Sequence, residues 1–174
     1  MNIECRFPEL LPSIPILVAI GLMLVSCESD RDLIKITRQR MAMDERLLEL
    51  CVGPEAVVGP HAVPEVDIYV NQAVLDYRKE NPKNYDYPVG SRFVKKKYPD
   101  VGVKEPDIAT IMVKTGMEGE VSDWEFSIIA LPGGEALKHT GRISCAKCHE
   151  RYEERGFVSR DSEKALAEFL GFET

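Results

Sequence analysis

The sequence predicts an α+β fold, with a small, mostly antiparallel β-sheet flanked by helices. Short segments rich in β-branched and aromatic residues recur through the middle of the chain, and turn residues separate them. Loops rather than long helices connect these segments, which favours antiparallel pairing because parallel strands need a long crossover connection. Patterns typical of helices lie before and after this region.

The middle of the chain contains four predicted strands. Residues 66–70 alternate in polarity and carry β-branched and aromatic side chains, as strands do. A short helix over residues 72–79 follows and ends at Asn81-Pro82, because proline cannot continue a helix. The other three strands are predicted at residues 91–98, 108–115 and 123–131.

Helices are predicted on both sides of the strand region. Residues 33–50 predict a helix that ends near Gly53-Pro54, because apolar and charged residues recur there at helical spacing. The positions concerned are Leu33, Ile36, Arg40, Met43, Leu47 and Leu50. A further helix is predicted to open at residue 145 and to run to about residue 155. The last helix is predicted over residues 162–170, with Asp161 or Ser162 as its N-cap.

The N-terminus has the pattern of an export signal. Residues 15–24 form an apolar run that is shorter than the roughly 20 residues of a membrane span and has the length of a signal-peptide core. The run ends in Leu24-Val25-Ser26-Cys27, which resembles a bacterial lipobox, where Cys27 would be lipidated. A plain signal peptide or an uncleaved anchor is the alternative, because Glu4 and Glu9 precede the run.

These patterns predict three segments. Residues 1–26 are a lipoprotein signal peptide, residues 27–62 a tether with the N-terminal helix, and residues 63–174 the folded domain. The protein is then a periplasmic, membrane-anchored lipoprotein of a bacterium, which touches the membrane through its lipid alone. Its 22 basic and 29 acidic residues give a net charge of −7. No stretch is basic enough to attract nucleic acid, which excludes that class of partner.

Cys145-Ala146-Lys147-Cys148-His149 is a C-x-x-C-H sequence, the attachment motif of a c-type haem. Two thiols about one helical turn apart can add to the two vinyl groups of haem, and the adjacent imidazole can then coordinate iron. The motif predicts one covalent haem c, with thioethers at Cys145 and Cys148 and His149 as the proximal iron ligand. Of the other cysteines, Cys5 leaves with the signal, and Cys51 is either a buried thiol or a link between chains.

Two other uses of the cysteine pair compete with haem. A structural zinc ion needs four ligands, and Cys51, His61 and His139 do not have ligand spacing. A thioredoxin-like redox pair needs a βαβ setting, which the predicted elements lack.

The sixth iron position separates electron transfer from ligand chemistry, because electron carriers usually fill it with methionine or a second histidine. The sequence leaves this open. The candidates are His61, His139, Met41, Met43, Met112 and Met117.

From Val66 onward, about 90 residues resemble the cytochrome P-460 family, which includes the cytochromes c′-beta. The segments that carry the resemblance, in family order, are Asp67-Ile68-Tyr69-Val70-Asn71, Tyr87-Pro88-Val89-Gly90-Ser91-Arg92-Phe93-Val94-Lys95, Ile111-Met112-Val113-Lys114, Asp123-Trp124-Glu125-Phe126 and the C-x-x-C-H motif. The resemblance implies an antiparallel sheet with helices, a homodimer, and a five-coordinate haem open to nitric oxide or hydroxylamine. Catalytic members cross-link a lysine to haem, and the cytochromes c′-beta have a phenylalanine-lined distal pocket instead.

By position in the matching segment, the resemblance implies Lys95 as the candidate for the haem cross-link and Phe93 as a distal-pocket residue. Strand alternation puts Phe93, Lys95 and Lys97 on one face and Lys96 on the other, so that Lys97 is also a geometric candidate. The alternative reading is that three consecutive lysines mark a solvated edge strand.

The chain departs from the hydroxylamine-oxidising members at two acidic positions. Ser144 precedes the first haem cysteine, and Gly156 precedes Phe157-Val158. Loss of these carboxylates removes proton acceptors for hydroxylamine, and Glu125 and Glu150 are the nearest substitutes in sequence. The sequence therefore predicts a haem c protein that binds nitric oxide or oxidises hydroxylamine, with the enzyme assignment open. The alternative is a six-coordinate electron carrier with a redox partner cytochrome.

Overall fold

The computed structural model describes residues 32–40, 65–137 and 144–172, which belong to one compact unit, Asp32–Thr174. These residues form a five-stranded antiparallel sheet with three helices, so the predicted α+β class is confirmed. None of the helices in these ranges is long and apolar enough to cross a membrane. The elements are β1 (Leu33–Arg40), β2 (Glu65–Asn71), α1 (Gln72–Glu80), β3 (Arg92–Tyr98), β4 (Ile108–Lys114), β5 (Trp124–Ala130), α2 (Cys145–His149) and α3 (Arg160–Leu170).

The sheet is a meander in which each strand pairs with the next, in the order β1-β2-β3-β4-β5. β3 is therefore the central strand. The four strands and the short helix predicted for the middle of the chain are confirmed, with ends that differ by at most one residue. The reading of the three lysines as a solvated edge strand is wrong, because β3 has a neighbour on each side and Lys97 is 1 % exposed.

The helix predicted at residues 33–50 is wrong where the structure describes it, because Leu33–Arg40 is strand β1. A β-bulge between Lys35 and Thr37 puts Lys35 and Arg38, which are three residues apart, on the same face. That spacing resembles the period of a helix. Both cations lie beside the buried carboxylate of Asp67, with Lys35 Nζ 2.7 Å and Arg38 Nε 3.9 Å from its oxygens. The remainder of the predicted helix, residues 41–50, lies outside the described residues.

One face of the sheet, here called the helix face, carries Ile68, Lys95, Thr110 and Ile128 at directly opposed positions of β2 to β5. α1 and α3 contribute side chains to an apolar core against this face. The core gains most of its stability from apolar area removed from water. It includes Val66, Ile68, Val70, Val74, Leu75, Phe93, Met112, Trp124, Ala165 and Leu166.

A buried polar network joins α1 to α3. The Tyr87 hydroxyl donates a hydrogen bond to the Glu163 carboxylate, and Arg78 Nη2 lies 3.4 Å from the same carboxylate. Arg78 also donates to the carbonyl oxygens of Asn81 and Pro82, at 3.0 and 2.6 Å. Burial raises the pKa of Glu163, while Tyr87 and Arg78 favour its charged form. Loss of one partner would leave a buried charge unpaired, which is strongly destabilising.

Two predicted features of the C-terminal helices need correction. The helix that opens at Cys145 is α-helical only to His149, and a 3₁₀ segment continues over Glu150–Arg155. The last helix begins at Arg160 with Ser159 as its N-cap, so the predicted cap at Asp161 or Ser162 is wrong.

Candidate haem-attachment site

α2 carries the two thiols of the C-x-x-C-H motif. Ser144 caps the helix, and its Oγ accepts a hydrogen bond from the backbone N–H of Lys147 at 3.3 Å. Cys145 and Cys148 are three residues apart on one short helix, a spacing that puts their side chains on the same side. Both are free thiols, with Cys148 buried and Cys145 partly exposed. Burial raises the pKa of the Cys145 thiol.

The imidazole of His149 has a defined tautomer. Its Nδ1 lies 2.6 Å from the carbonyl oxygen of Phe157. Because a carbonyl oxygen only accepts, Nδ1 carries the hydrogen and Nε2 carries the lone pair. Metal-ligating histidines usually have this arrangement, in which a backbone carbonyl or carboxylate holds one ring nitrogen and the other binds the metal. The rings of Phe126 and Tyr152 flank the imidazole, with centroids 4.8 and 5.8 Å away.

The Phe157 carbonyl is positioned by an uncommon turn. Gly156 and Phe157 are both left-handed, with φ of 59° and 66°. A left-handed conformation costs a residue with a side chain roughly 1–2 kcal/mol, so the surrounding packing must hold Phe157 in place. A Cβ at Gly156 would overlap the carbonyl oxygen of Tyr85. The turn therefore requires glycine at position 156, and no carboxylate fits there.

His149 is neutral at neutral pH. Burial lowers its pKa to about 4, the hydrogen bond to Phe157 opposes this shift, and the charge of Lys95 adds to it. A neutral imidazole is the form that coordinates a metal.

This low pKa predicts how the stability of the haem-free protein depends on pH. An unfolded histidine has a pKa near 6.5, so the unfolded state binds more protons than the folded state between pH 6.5 and about 4. The free energy of unfolding should fall by up to about 3 kcal/mol as the pH drops through this window. Urea unfolding at several pH values, compared with His149→Gln, measures the effect. An equally steep fall in the variant would contradict the assignment to His149.

Lys95 and Lys97 lie on the helix face of β3, and each interacts electrostatically with a residue of the C-x-x-C-H motif. Lys95 Nζ donates a hydrogen bond to Ser159 Oγ at 2.8 Å, and its charge acts on His149. Burial lowers the pKa of Lys97 to about 7, the charge of Lys95 lowers it further, and the Cys145 thiol interacts with it electrostatically. Lys96 lies over the ring of Tyr69 on the opposite face. The predicted division of the three lysines between the two faces is confirmed.

Phe93 lies on the helix face but inside an aromatic cluster. Its ring centroid is 5.2 Å from Tyr87 and 6.2 Å from Trp124, and it is 4 % exposed. The ring contacts of His149 among the described residues come from Phe126 and Tyr152 instead. Sequence reasoning missed Phe126. The alternation of β5, which places Phe126 on the same face as Met112, could have identified it.

The remaining candidates are dispersed. Glu125 and Glu150 are both exposed, and Glu150 pairs with Lys147. Met112 is buried in the core, whereas Met117 is 76 % exposed. Among residues 32–40, 65–137 and 144–172, no three His, Cys, Asp or Glu side chains cluster as a metal site would require. Candidates outside these ranges are Cys27, Met41, Met43, Cys51, His61 and His139.

No protein-family model matches the chain, and no curated protein matches it significantly. Fold and geometry define a class: an α+β protein with a five-stranded antiparallel meander and a C-x-x-C-H helix near the lysines of its central strand. The likeness to the cytochrome P-460 family stays a prediction from the sequence.

Proposed function

We propose that this chain is an exported bacterial lipoprotein of the cytochrome P-460 type that carries one haem c. Cys145 and Cys148 attach the haem, and His149 is its protein iron ligand. The observation that supports this best is the hydrogen bond of 2.6 Å between His149 Nδ1 and the Phe157 carbonyl, which leaves Nε2 as the ligating nitrogen.

The residues around the motif fit a covalent haem. Both thiols are reduced and stand one helical turn apart, as addition to two vinyl groups requires. When bound, haem iron supplies a position for a small ligand and one-electron redox chemistry. Phe126 and Tyr152 shield the imidazole from water, and Lys95 brings positive charge to the site.

The open iron position would bind nitric oxide or hydroxylamine. Oxidation of hydroxylamine releases protons, which a nearby carboxylate would accept. Glu125 and Glu150 are exposed, and Gly156 has no room for a side chain. This favours a protein that binds nitric oxide over an enzyme that oxidises hydroxylamine.

The absorption spectrum of the ferrous protein tests this function. We expect an ordinary high-spin spectrum. A strongly red-shifted Soret band would instead indicate a lysine cross-link and the enzyme. Replacement of Lys95 with leucine should abolish such a band together with hydroxylamine oxidation, or otherwise leave the high-spin spectrum in place and change the ligand affinity.

An electron carrier is the second candidate, with Met112 of β4 as a candidate sixth ligand. Met112 is directly opposite Phe126 in the sheet, and the Phe126 ring contacts His149. If the iron site is open, Met112→Leu and His61→Ala should each leave the ferrous spectrum high-spin and nitric oxide binding unchanged. A low-spin wild-type spectrum that becomes high-spin in either variant would make the protein a six-coordinate carrier.

Export and lipidation have their own test. We expect mass spectrometry of the protein from its native host to show an acylated N-terminal Cys27, because the apolar run ends in Leu-Val-Ser-Cys. Cys27→Ser should keep the chain unacylated and release it from the membrane fraction. An N-terminus at Met1 would contradict both export and anchoring.

A further inference from the structure

Ser159 stands at the N-cap of α3 but does not cap the helix with its side chain. A serine at this position normally accepts a hydrogen bond from the backbone N–H two or three residues on, and this bond stabilises the helix. Here Ser159 is 9 % exposed, and its side chain is directed elsewhere. Departures from a local rule of this kind concentrate at functional sites.

The side chain of Ser159 instead joins β3 to α3. Its Oγ accepts the hydrogen bond from Lys95 Nζ at 2.8 Å and lies 3.1 Å from the Oγ of Ser162, which is 2 % exposed. A hydroxyl has one donor and two lone pairs, so it can accept from the ammonium while it donates to Ser162. The contact spans 64 residues of sequence and therefore fixes a side chain of the central strand from a helix terminus.

The held ammonium lies beside the candidate haem site. The Lys95 ammonium is bonded to Ser159 Oγ at 2.8 Å, and its charge also lowers the pKa of His149. Ser159 follows the Phe157 carbonyl by two residues, and that carbonyl holds His149 Nδ1. One short segment, residues 157–159, therefore orients both the imidazole and the lysine.

We propose that Ser159 is a positioning residue that holds the Lys95 ammonium beside the haem of the proposed site, where its positive charge favours ferrous over ferric iron. The inference rests on the proposed function for its effect on iron. A positive charge near iron disfavours the more positive ferric state, most strongly where water is excluded. Without the hydroxyl, the lysine side chain loses its hydrogen bond to the start of α3, and its length allows the ammonium to reach water.

Competitive acetylation of lysines tests the positioning without reference to haem. The mature full-length protein is treated with a trace of acetic anhydride, and peptide mass spectrometry compares Lys95 with Lys96. In Ser159→Ala the acetylation of Lys95 relative to Lys96 should rise about three- to tenfold, the ratio expected for loss of one typical hydrogen bond at a part-buried position. Ser159→Thr keeps a hydroxyl and should restore the wild-type ratio. An unchanged ratio in Ser159→Ala, or a threonine variant that behaves like alanine, would overturn the positioning role.

The effect on iron is measured on the haem-loaded protein by spectroelectrochemistry at the wild-type midpoint potential. Lys95→Met and Ser159→Ala should both lower the ferrous-to-ferric ratio by about three- to tenfold, the same factor that is expected for the acetylation ratio. Lys96→Met, on the opposite face, is the matched control and should change the ratio less than twofold. In the Lys95→Met background, Ser159→Ala should have no further effect, because the serine acts through the lysine.

These experiments distinguish failure of the positioning role from failure of the proposed haem function. If Ser159→Ala changes the ferrous-to-ferric ratio equally in the wild-type and Lys95→Met backgrounds, or in neither, the inference is overturned while haem attachment stands. Absence of covalent haem from the wild type would refute the proposed function and with it the effect on iron, and the acetylation ratios would then decide the positioning role alone.

Discussion

Replacement of both Cys145 and Cys148 with serine is expected to abolish covalent haem completely. A hydroxyl does not form the thioether that a thiol forms with a haem vinyl group, so no covalent link would remain. Each single variant should retain at most one thioether or remain haem-free. Haem staining of a denaturing gel, with the mass of the intact protein, measures the loss.

Cys51→Ser is the matched control for this pair, because Cys51 lies outside the motif and its loss should leave haem staining unchanged. Covalent haem that survives in the double variant would refute the assignment of the attachment site. Haem staining that disappears in Cys51→Ser as well would show that the signal reports on folding or export rather than on attachment.

Gly156→Ala should destabilise the protein by at least about 3 kcal/mol, which is roughly 10 °C in Tm for a domain of this size. The left-handed conformation alone costs about 1–2 kcal/mol with a side chain, and the new Cβ would also overlap the Tyr85 carbonyl oxygen. The backbone must then shift, and the Phe157 carbonyl would move with it. We therefore also expect a disturbed contact to His149 and an altered haem spectrum in this variant.

Gly102→Ala separates the two contributions. Gly102 is also left-handed, with φ of 79°, but a Cβ there would meet nothing within 4 Å. It should lose about 1–2 kcal/mol, the conformational cost alone. Thermal unfolding of both variants gives the comparison. Equal losses would show that the close approach of Tyr85 to Gly156 carries no energetic weight.

The sequence was sufficient for the elements whose patterns are local. Residues 66–70 alternate in polarity, and Asn81-Pro82 ends a helix by a property of proline itself. The alternation of Phe93, Lys95 and Lys97 also placed these residues on one face, which the strand register confirms. Such features depend on backbone geometry that neighbouring residues share.

β1 was misread because Leu33, Ile36 and Arg40 have the spacing of a helix, whereas pairing with β2, about thirty residues away, makes this segment a strand. The bulge at Lys35 and Thr37 puts two cations three positions apart on one face, and Asp67 of β2 is the group that both approach. Short apolar segments are ambiguous between helix and strand by periodicity alone. A bulge therefore becomes recognisable only when the paired strand is known.

By itself the sequence determined the α+β class, the spacing of the two thiols in the C-x-x-C-H motif and the face on which Lys95 and Lys97 lie. Only the tertiary structure decided that the Phe157 carbonyl holds His149 Nδ1, that Ser159 holds Lys95, and that Gly156 has no room for a side chain. The reason is physical. A motif depends on the spacing of side chains along the chain, whereas these three contacts involve a backbone carbonyl, a diverted helix cap and a close backbone approach. None of the three contacts produces a periodic pattern in the sequence, because each forms only when distant segments pack together.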